Sequence, residues 1–573
     1  MTNVRETRSP SQILFSHLPS QTVDANRRVW RVESWVSPVT LMVDPDGVRR
    51  RVLAAIDPWR VTGNDGGLVD ELHKGASIDV LGVNKEQGVK LELWPDIWLC
   101  SQCRRVAYQR GQCICGSKQW AQLPFVGFHE CGYVGTPFIR KCATHNQAAV
   151  KNSSSSSIRD LVVECPICHQ QIQKGLGGGS PCPACHQPGL NFNVHRASTV
   201  FTPHTFTMVN PARPENLRDL LANGGPEKSL RWVLDDMPTA RPQNLAATRQ
   251  SIVSDLIAKG LSPDVAAAAA AAAVEAGASQ LDSTPAKIDL PAASLENAES
   301  SALEIALATF EGRRSASKLQ TEPVDQVFQS MYERQYMDAL ERSGAVEIDY
   351  VDRFPVLRGV FGFSRGGGAI GASRLVPFRS KSRRLRVHAD ASETEAYYVR
   401  LDPVRVAAWL SGRGLLDTAP TNPRDARLAV LAAADFPSRG DDVITETVGS
   451  ATLTLLHSFA HRMIRQLAVL AGIDRESISE YLVPEHLGVF IYATPRGSFV
   501  LGGLQSVFET DLHRLLDLQV DAESRCPLDP GCDRSGGACL ACLQIGEPSC
   551  SYYNRFLDRK TLFGSGGFLR SDL

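Results

Sequence analysis

Apolar positions change their spacing several times along this chain, and each change marks a stretch of different secondary structure. Residues 1–98 carry short strand-like runs (Trp30–Val39, Val48–Ile56, Val89–Trp94) broken by Pro45-Asp46-Gly47 and Asn64-Asp65-Gly66-Gly67 turns, which predicts a β-rich unit. Residues 206–345 shift to helical spacing in LRDLLANG, NLAATRQSIVSDLIAKG and VDQVFQSMYERQYMDALERSGA. The tract Ala266–Ala273 belongs with them, since alanine has the best helix propensity and Ser262-Pro263-Asp264 is a good helix start. The segment 279–300 is polar and proline-punctuated and reads as a linker. From 346 the strand signal returns in FPVLRGVFGF and AYYVRLDPVRVAAWL. A helix from about Glu446 to Gly472 then carries apolar Leu453, Leu456, Ala460, Met463, Ile464 and Leu467 at helical spacing, with Gly472 as its C′ residue. The strand HLGVFIYA and the helix TDLHRLLDLQV close the pattern. The fold class expected is α+β and multidomain, with boundaries near 1–98, 99–205, 206–345 and 346–573.

Composition narrows the options. The 573 residues are 43% hydrophobic and 21% charged, ordinary for globular protein. The longest purely apolar stretch, Val265–Val274, is far short of the roughly 20 residues that cross a bilayer. The opening MTNVRETRSPSQ has no apolar core of a secretory signal, so a cytoplasmic protein is expected. With 61 Lys and Arg against 62 Asp and Glu, any nucleic-acid surface must be a local patch.

Cysteine placement changes the picture most. Ten of the 15 fall between Cys100 and Cys185 and five between Cys526 and Cys550. In a reduced compartment, close pairs read as metal ligands before disulfides. Cys100, Cys103, Cys113 and Cys115 make one tetrahedral set, although the second pair has one intervening residue. Cys165-Pro-Ile-Cys168 and Cys182-Pro-Ala-Cys185 read as the two knuckles of a zinc ribbon, with the Ser153–Ser157 tract and Gly177–Gly179 as loops. His129, Cys131, Cys142 and His145 could form a further site. In the last cluster Cys539, Cys542 and Cys550 are the expected ligands, completed by either Cys526 or Cys532. The arithmetic is three Zn²⁺ per chain, or four with the His129 set.

Other chemistry is sparse. His457 and His461 share one helix face, as in zinc peptidases, but residue 458 is Ser where an HExxH motif needs Glu. No P-loop, GxSxG or kinase signature is found, so an ATPase is not expected and no active site stands out. Arg379, Lys381, Arg383, Arg384 and Arg386 form a basic segment that could contact nucleic-acid phosphates.

From residue 345 to about 565, an ordered series is present: LLHSFAHRMIRQLAVLAGI, GVFIYA, LGGL, RCPLDP-GC, GACLACLQIGEPSC and NRFLDR. It resembles the zinc-binding domain of MrfA-type superfamily-2 DNA-repair helicases and, more closely, the motorless DrmB-type proteins of the bacterial DISARM anti-phage system. CPIC and CPAC resemble the N-terminal half of the latter, but Ser11-Gln12 is not followed by that half's usual Gly-Pro-Gly segment. The resemblance implies a non-catalytic accessory subunit that partners a separate superfamily-2 DNA helicase in antiviral defence and helps bind DNA. The family's cysteine pattern falls on Cys526, Cys532, Cys539, Cys542 and Cys550. His457 and His461 also match, without an implied role, as do Asn554 and Leu557-Asp558-Arg559, which are expected to fix the zinc module's C-terminal helix. Two other readings stand beside this one: a metal-dependent nuclease or hydrolase using His457 and His461, and a zinc-ribbon scaffold that never touches DNA.

Overall fold

The computed structural model describes residues 4–151, 158–176, 180–209, 225–238, 288–309, 312–317, 326–494, 501–521, 525–546 and 549–569, with a few positions between 253 and 269. The Ser153–Ser157 and Gly177–Gly179 loops, LRDLLANG and most of NLAATRQSIVSDLIAKG lie outside them. The architecture is α+β, organised on a nine-stranded sheet. Its spine runs Thr202–Val209, Ala345–Ser364, Leu385–Leu401, Gly488–Ala493, Ile478–Val483, each pair antiparallel. Ile78–Gly82 adds a parallel strand against Leu385–Leu401.

The middle strands are covered on both faces, which explains their nearly unbroken apolar sequence. Along Leu385–Leu401, Tyr397 and Val399 face one core with Leu456, Phe459, Met463 and Leu467 of the helix Val448–Ala471. Ala396 and Tyr398 face the opposite core with Ala298, Ala302 and Ile305 of the helix Ala292–Thr309. Thr447 caps the long helix in a reciprocal capping box with Ser450, and Gly472 ends it at φ +64°.

Three expectations change. Val48–Ile56 is helical, within Pro45–Thr62. Asp44 accepts from the Asp46 and Gly47 N–H groups, Pro45 opens the first turn, and buried Val48, Val52, Ala55, Ile56 and Trp59 follow the 3.6-residue period. The AYYVRLDPVRVAAWL run divides at Asp402, whose carboxylate caps the helix Pro403–Gly412. The expected linker 279–300 ends in helix: Ala292–Thr309 buries an alanine and isoleucine stripe against the sheet, while 279–287 lie outside the described residues. Because Ile78–Gly82 and Thr202–Val209 belong to the central sheet, that sheet crosses the boundaries placed at 98, 205 and 345.

Candidate metal centres

Two kinds of tight turn present the N-terminal ligands. In the first, two ligands stand three positions apart and the residue after them takes positive φ: Arg104 (59°), Asn146 (50°), His169 (58°) and His186 (59°). Its N–H donates to the carbonyl of the first ligand, at 3.0, 2.8, 2.9 and 2.8 Å. The first ligand's own N–H reaches the carbonyl of the residue that follows, which is Arg105, Gln147, Gln170 or Gln187. Cys100, Cys142, Cys165 and Cys182 therefore open four copies of one knuckle. In the second kind, one residue separates the ligands and glycine follows: Cys113-Ile-Cys115-Gly116 and His129-Glu-Cys131-Gly132, with φ of +89° and +96° at the glycines. Only glycine takes such a turn without strain.

These turns assemble into three sites. Cys100, Cys103, Cys113 and Cys115 converge as expected, with Sγ pairs 3.5 Å (Cys100–Cys115) and 3.4 Å (Cys103–Cys113) apart. The two CPxC knuckles do not form one ribbon site. Cys182 and Cys185 meet His129 and Cys131, while Cys165 and Cys168 meet Cys142 and His145. The set His129, Cys131, Cys142 and His145 is accordingly split between two sites. The reason is topological: Phe125–Phe128 pairs with Val134–Gly135 and Asn191–Val194 and brings the His129 turn beside Cys182, whereas Ala149–Val150, Val162–Glu164 and Gln171–Lys174 form a separate sheet holding the other two knuckles.

Near the C-terminus, Cys526 and Cys532 both join Cys539 and Cys542, with sulfur separations of 3.5 Å (Cys526–Cys539) and 3.7 Å (Cys532–Cys542). Cys550 leaves that set. It packs instead against His457 Nε2 at 3.2 Å, in a fully buried group with His461 and Glu480. Asn554 holds this segment by exchanging two hydrogen bonds with the Ile545 backbone. Leu557 is buried, and Asp558 caps a short 3₁₀ turn, Arg559–Thr561, rather than an α-helix.

The donor chemistry fits zinc. All 15 cysteines are free thiols, and sulfurs 3.4–3.7 Å apart are too distant for S–S bonds of about 2.05 Å. They match the edge of a tetrahedron with Zn–S bonds of about 2.3 Å, which is about 3.8 Å. His129 is oriented by Pro188, whose carbonyl lies 3.2 Å from Nε2, so Nδ1 is left facing Cys185 Sγ at 3.5 Å. Within the first set the thiols are driven apart: burial raises the Cys100 thiol, but backbone N–H groups of Cys103 and Gln102 and the neighbouring thiols outweigh it and bring its pKa down to about 6, whereas burial pushes the Cys113 thiol up to about 12. The chain thus carries several clusters that could hold zinc.

The sequence held a signal for the crossed pairing. Cys142-Ala-Thr-His145-Asn-Gln repeats the frame of Cys165-Pro-Ile-Cys168-His-Gln and Cys182-Pro-Ala-Cys185-His-Gln, with histidine as second ligand. His129-Glu-Cys131-Gly likewise repeats Cys113-Ile-Cys115-Gly.

The basic segment forms the turn joining Arg379 to Leu385. Arg379 makes a two-pronged pair with Glu71 at 2.8 and 3.0 Å, and Arg384 reaches Asp79 at 2.5 Å. Lys381 and Arg383 are exposed and Arg386 is half-buried, and none of the three makes an ion pair among the described residues. A second basic surface, not anticipated from the sequence, is a cleft of about 210 Å³ beside the Cys526 site, lined by Arg462, Arg465, Arg525 and Arg559. No described helix is long and apolar enough to cross a membrane.

Residues 9–202 match the profile of a family described as a domain of unknown function (DUF8724). Over 185 residues the chain is 30% identical to the DISARM protein DrmB of Bacillus paralicheniformis. The aligned stretch is 29% of this chain and 31% of that protein, so the chain spans about a third of the length of the curated relative it matches.

Proposed function

We propose that this chain is a non-catalytic, zinc-stabilised accessory subunit of a DISARM-type anti-phage system, acting in the cytoplasm, which docks a superfamily-2 DNA helicase and helps hold DNA. The observation that carries this reading is the similarity to the DISARM protein DrmB. The metal clusters support it in a specific way. Two of them, the His129–Cys131–Cys182–Cys185 and Cys142–His145–Cys165–Cys168 sets, join ligands from separate segments, and backbone N–H groups brace the knuckles, which is what a structural ion needs and what a scaffold for a motor subunit would use. Four zinc ions are assigned to the four cysteine-rich clusters. The exposed Lys381 and Arg383, and the arginine-lined cleft beside Cys542, offer positive charge for a DNA backbone on a chain with net charge −1. A hydrolase built on His457 and His461 is the less favoured reading, because both side chains are buried.

The test is reconstitution. The chain is co-expressed with the superfamily-2 helicase of a DISARM-type system, and the two are assayed for co-purification, DNA binding and restriction of phage plating. A stable complex that binds DNA more tightly than either chain, with phage restriction lost when either gene is removed, is the expected result. Separate elution together with restriction that is independent of this chain would overturn the proposal.

A further inference from the structure

We propose that His457, His461, Glu480 and Cys550 form a closed binding site for one divalent transition-metal ion, with zinc the best match, which fastens the C-terminal knuckle segment to the central sheet. The four donors come from three elements. The two histidines lie one turn apart on the helix Val448–Ala471, Glu480 is on the strand Ile478–Val483, and Cys550 follows the Cys526–Cys542 cluster. Their ligand atoms lie within 4.8 Å of one another. His457 Nε2 is 3.0 Å from Glu480 Oε1 and 3.2 Å from Cys550 Sγ, and His461 Nε2 is 3.4 Å from the same carboxylate oxygen.

Orientation distinguishes this group from a hydrogen-bonded core cluster. His457 Nδ1 lies 3.2 Å from the Phe556 carbonyl and His461 Nδ1 lies 3.0 Å from the Leu543 carbonyl. A carbonyl only accepts, so each Nδ1 carries a proton and each ring turns its Nε2 inward, the nitrogen through which a histidine held in this way binds a metal. Inward they meet a carboxylate and a sulfur, which are also electron-pair donors. Both Glu480 oxygens and His461 Nε2 are buried with no hydrogen bond of acceptable geometry. A buried carboxylate needs a positive partner held close to it. Cys550 Sγ accepts from the Tyr552 and Asn554 N–H groups at 3.4 and 3.2 Å, an arrangement that favours thiolate.

A divalent cation resolves all of this together. Two neutral imidazoles, one carboxylate and one thiolate balance a charge of +2 and leave the buried site neutral. The mixed nitrogen, oxygen and sulfur set suits zinc in tetrahedral geometry. The site is closed, because four protein donors saturate it. The adjoining polar space, bordered by Thr205, Thr207, Arg439 and Tyr492, has a volume of about 20 Å³, room for one water and not for a substrate. The rival arrangement is a metal-free ion pair. Burial lowers the histidine pKa values, but the Glu480 carboxylate outweighs it and holds both above the ordinary imidazole value.

The experiment compares full-length wild-type protein with Cys550→Ser and Glu480→Gln, purified in zinc-containing medium and desalted. Elemental analysis is expected to show about one metal equivalent fewer in each soluble variant. Alkylation mapping should find Cys526, Cys532, Cys539 and Cys542 still protected. Unchanged metal content in either soluble variant overturns the proposal. Should both variants be insoluble, wild-type crystals decide by anomalous scattering at the zinc edge. A peak bonded to Cys550 Sγ and His457 Nε2 supports the site, and peaks at the other clusters without one here refute it.

Discussion

Cys131 and Cys182, 51 positions apart, bring their sulfur atoms to 3.7 Å. The contact couples the turn after Phe125–Phe128 to the second CPxC knuckle and leaves the first CPxC knuckle to pair elsewhere. Cys131→Ser should therefore release one zinc and expose Cys182 and Cys185 to alkylation, while Cys165 and Cys168 stay protected. Peptide mass spectrometry after mild thiol labelling checks this. Joint exposure of all four CPxC cysteines would restore the single-ribbon arrangement. The local loss of metal should also appear as protease sensitivity around residues 129–190, since the ion supplies folding free energy there.

Arg365 ties three segments of the chain together. Its side chain is fully buried and donates to the carbonyls of Ser20 and Gly132, each at 2.9 Å, and of Val200. Burial, with Arg31 nearby, pulls its pKa down to about 9, so it remains charged at neutral pH. Arg365→Leu would strand three buried acceptors and should cost about 3 kcal/mol or more. Arg365→Lys should not rescue it, because one ammonium cannot reproduce a planar fork of donors. Thermal unfolding of the zinc-loaded protein is the measurement, and a melting temperature unchanged in the leucine variant would refute the role.

The large strands and the long helix were legible in the sequence for physical reasons. Ala396-Tyr397-Tyr398-Val399 is apolar without interruption because both faces are covered, and Leu456–Leu467 keeps its stripe because one face packs on the sheet. Val48–Ile56 misled because β-branched residues favour strands locally, whereas packing of Val52, Ile56 and Trp59 over Phe206 and Val387 selects the helix. At the metal clusters the residue types were evident and the partners were not. Spacing within a knuckle is a local property, but which knuckles meet depends on sheet pairing across tens of residues. Glu480 was invisible for the same reason: a lone acidic residue in a strand acquires meaning only when the helix lays His457 and His461 over it.

His204 gives a pH prediction that is independent of metal. Its ring is buried against Trp59 at 4.3 Å and meets Ser364 Oγ at 2.9 Å, and burial alone lowers its pKa to about 3. The unfolded chain takes up a proton near pH 6.5 that the folded chain refuses, so stability is full above pH 6.5 and falls as the pH drops toward 3. The contribution is ~1.4 kcal/mol per pH unit. His204→Gln should flatten the dependence of stability on pH between 6.5 and 5 by about one proton. Urea titrations at several pH values, with zinc content checked at each, measure it. Parallel slopes for wild type and variant would mean that His204 titrates normally.

The DNA reading is open to a sharper test than charge counting allows. Arg379 and Arg384 are engaged by Glu71 and Asp79 and Arg386 is half-buried, which leaves Lys381 and Arg383 as the exposed members of the segment with no ion pair among the described residues. Each phosphate that is no longer neutralised should reduce the slope of log affinity against log salt by about 0.9. Lys381→Glu with Arg383→Glu should therefore flatten the salt dependence of DNA binding by the helicase-bound complex by about two units. Arg379→Ala should leave the slope unchanged, its cost falling on the packing of the helix Leu68–His73. Arg525→Glu, in the cleft beside the Cys526 cluster, is the comparison, since its exposed side chain belongs to a separate set of basic residues. Fluorescence titrations with labelled duplex at several salt concentrations separate the outcomes. A slope that falls only with Arg525→Glu would move the DNA-binding surface to the cleft, and slopes unchanged in all variants would remove DNA from the function of both surfaces.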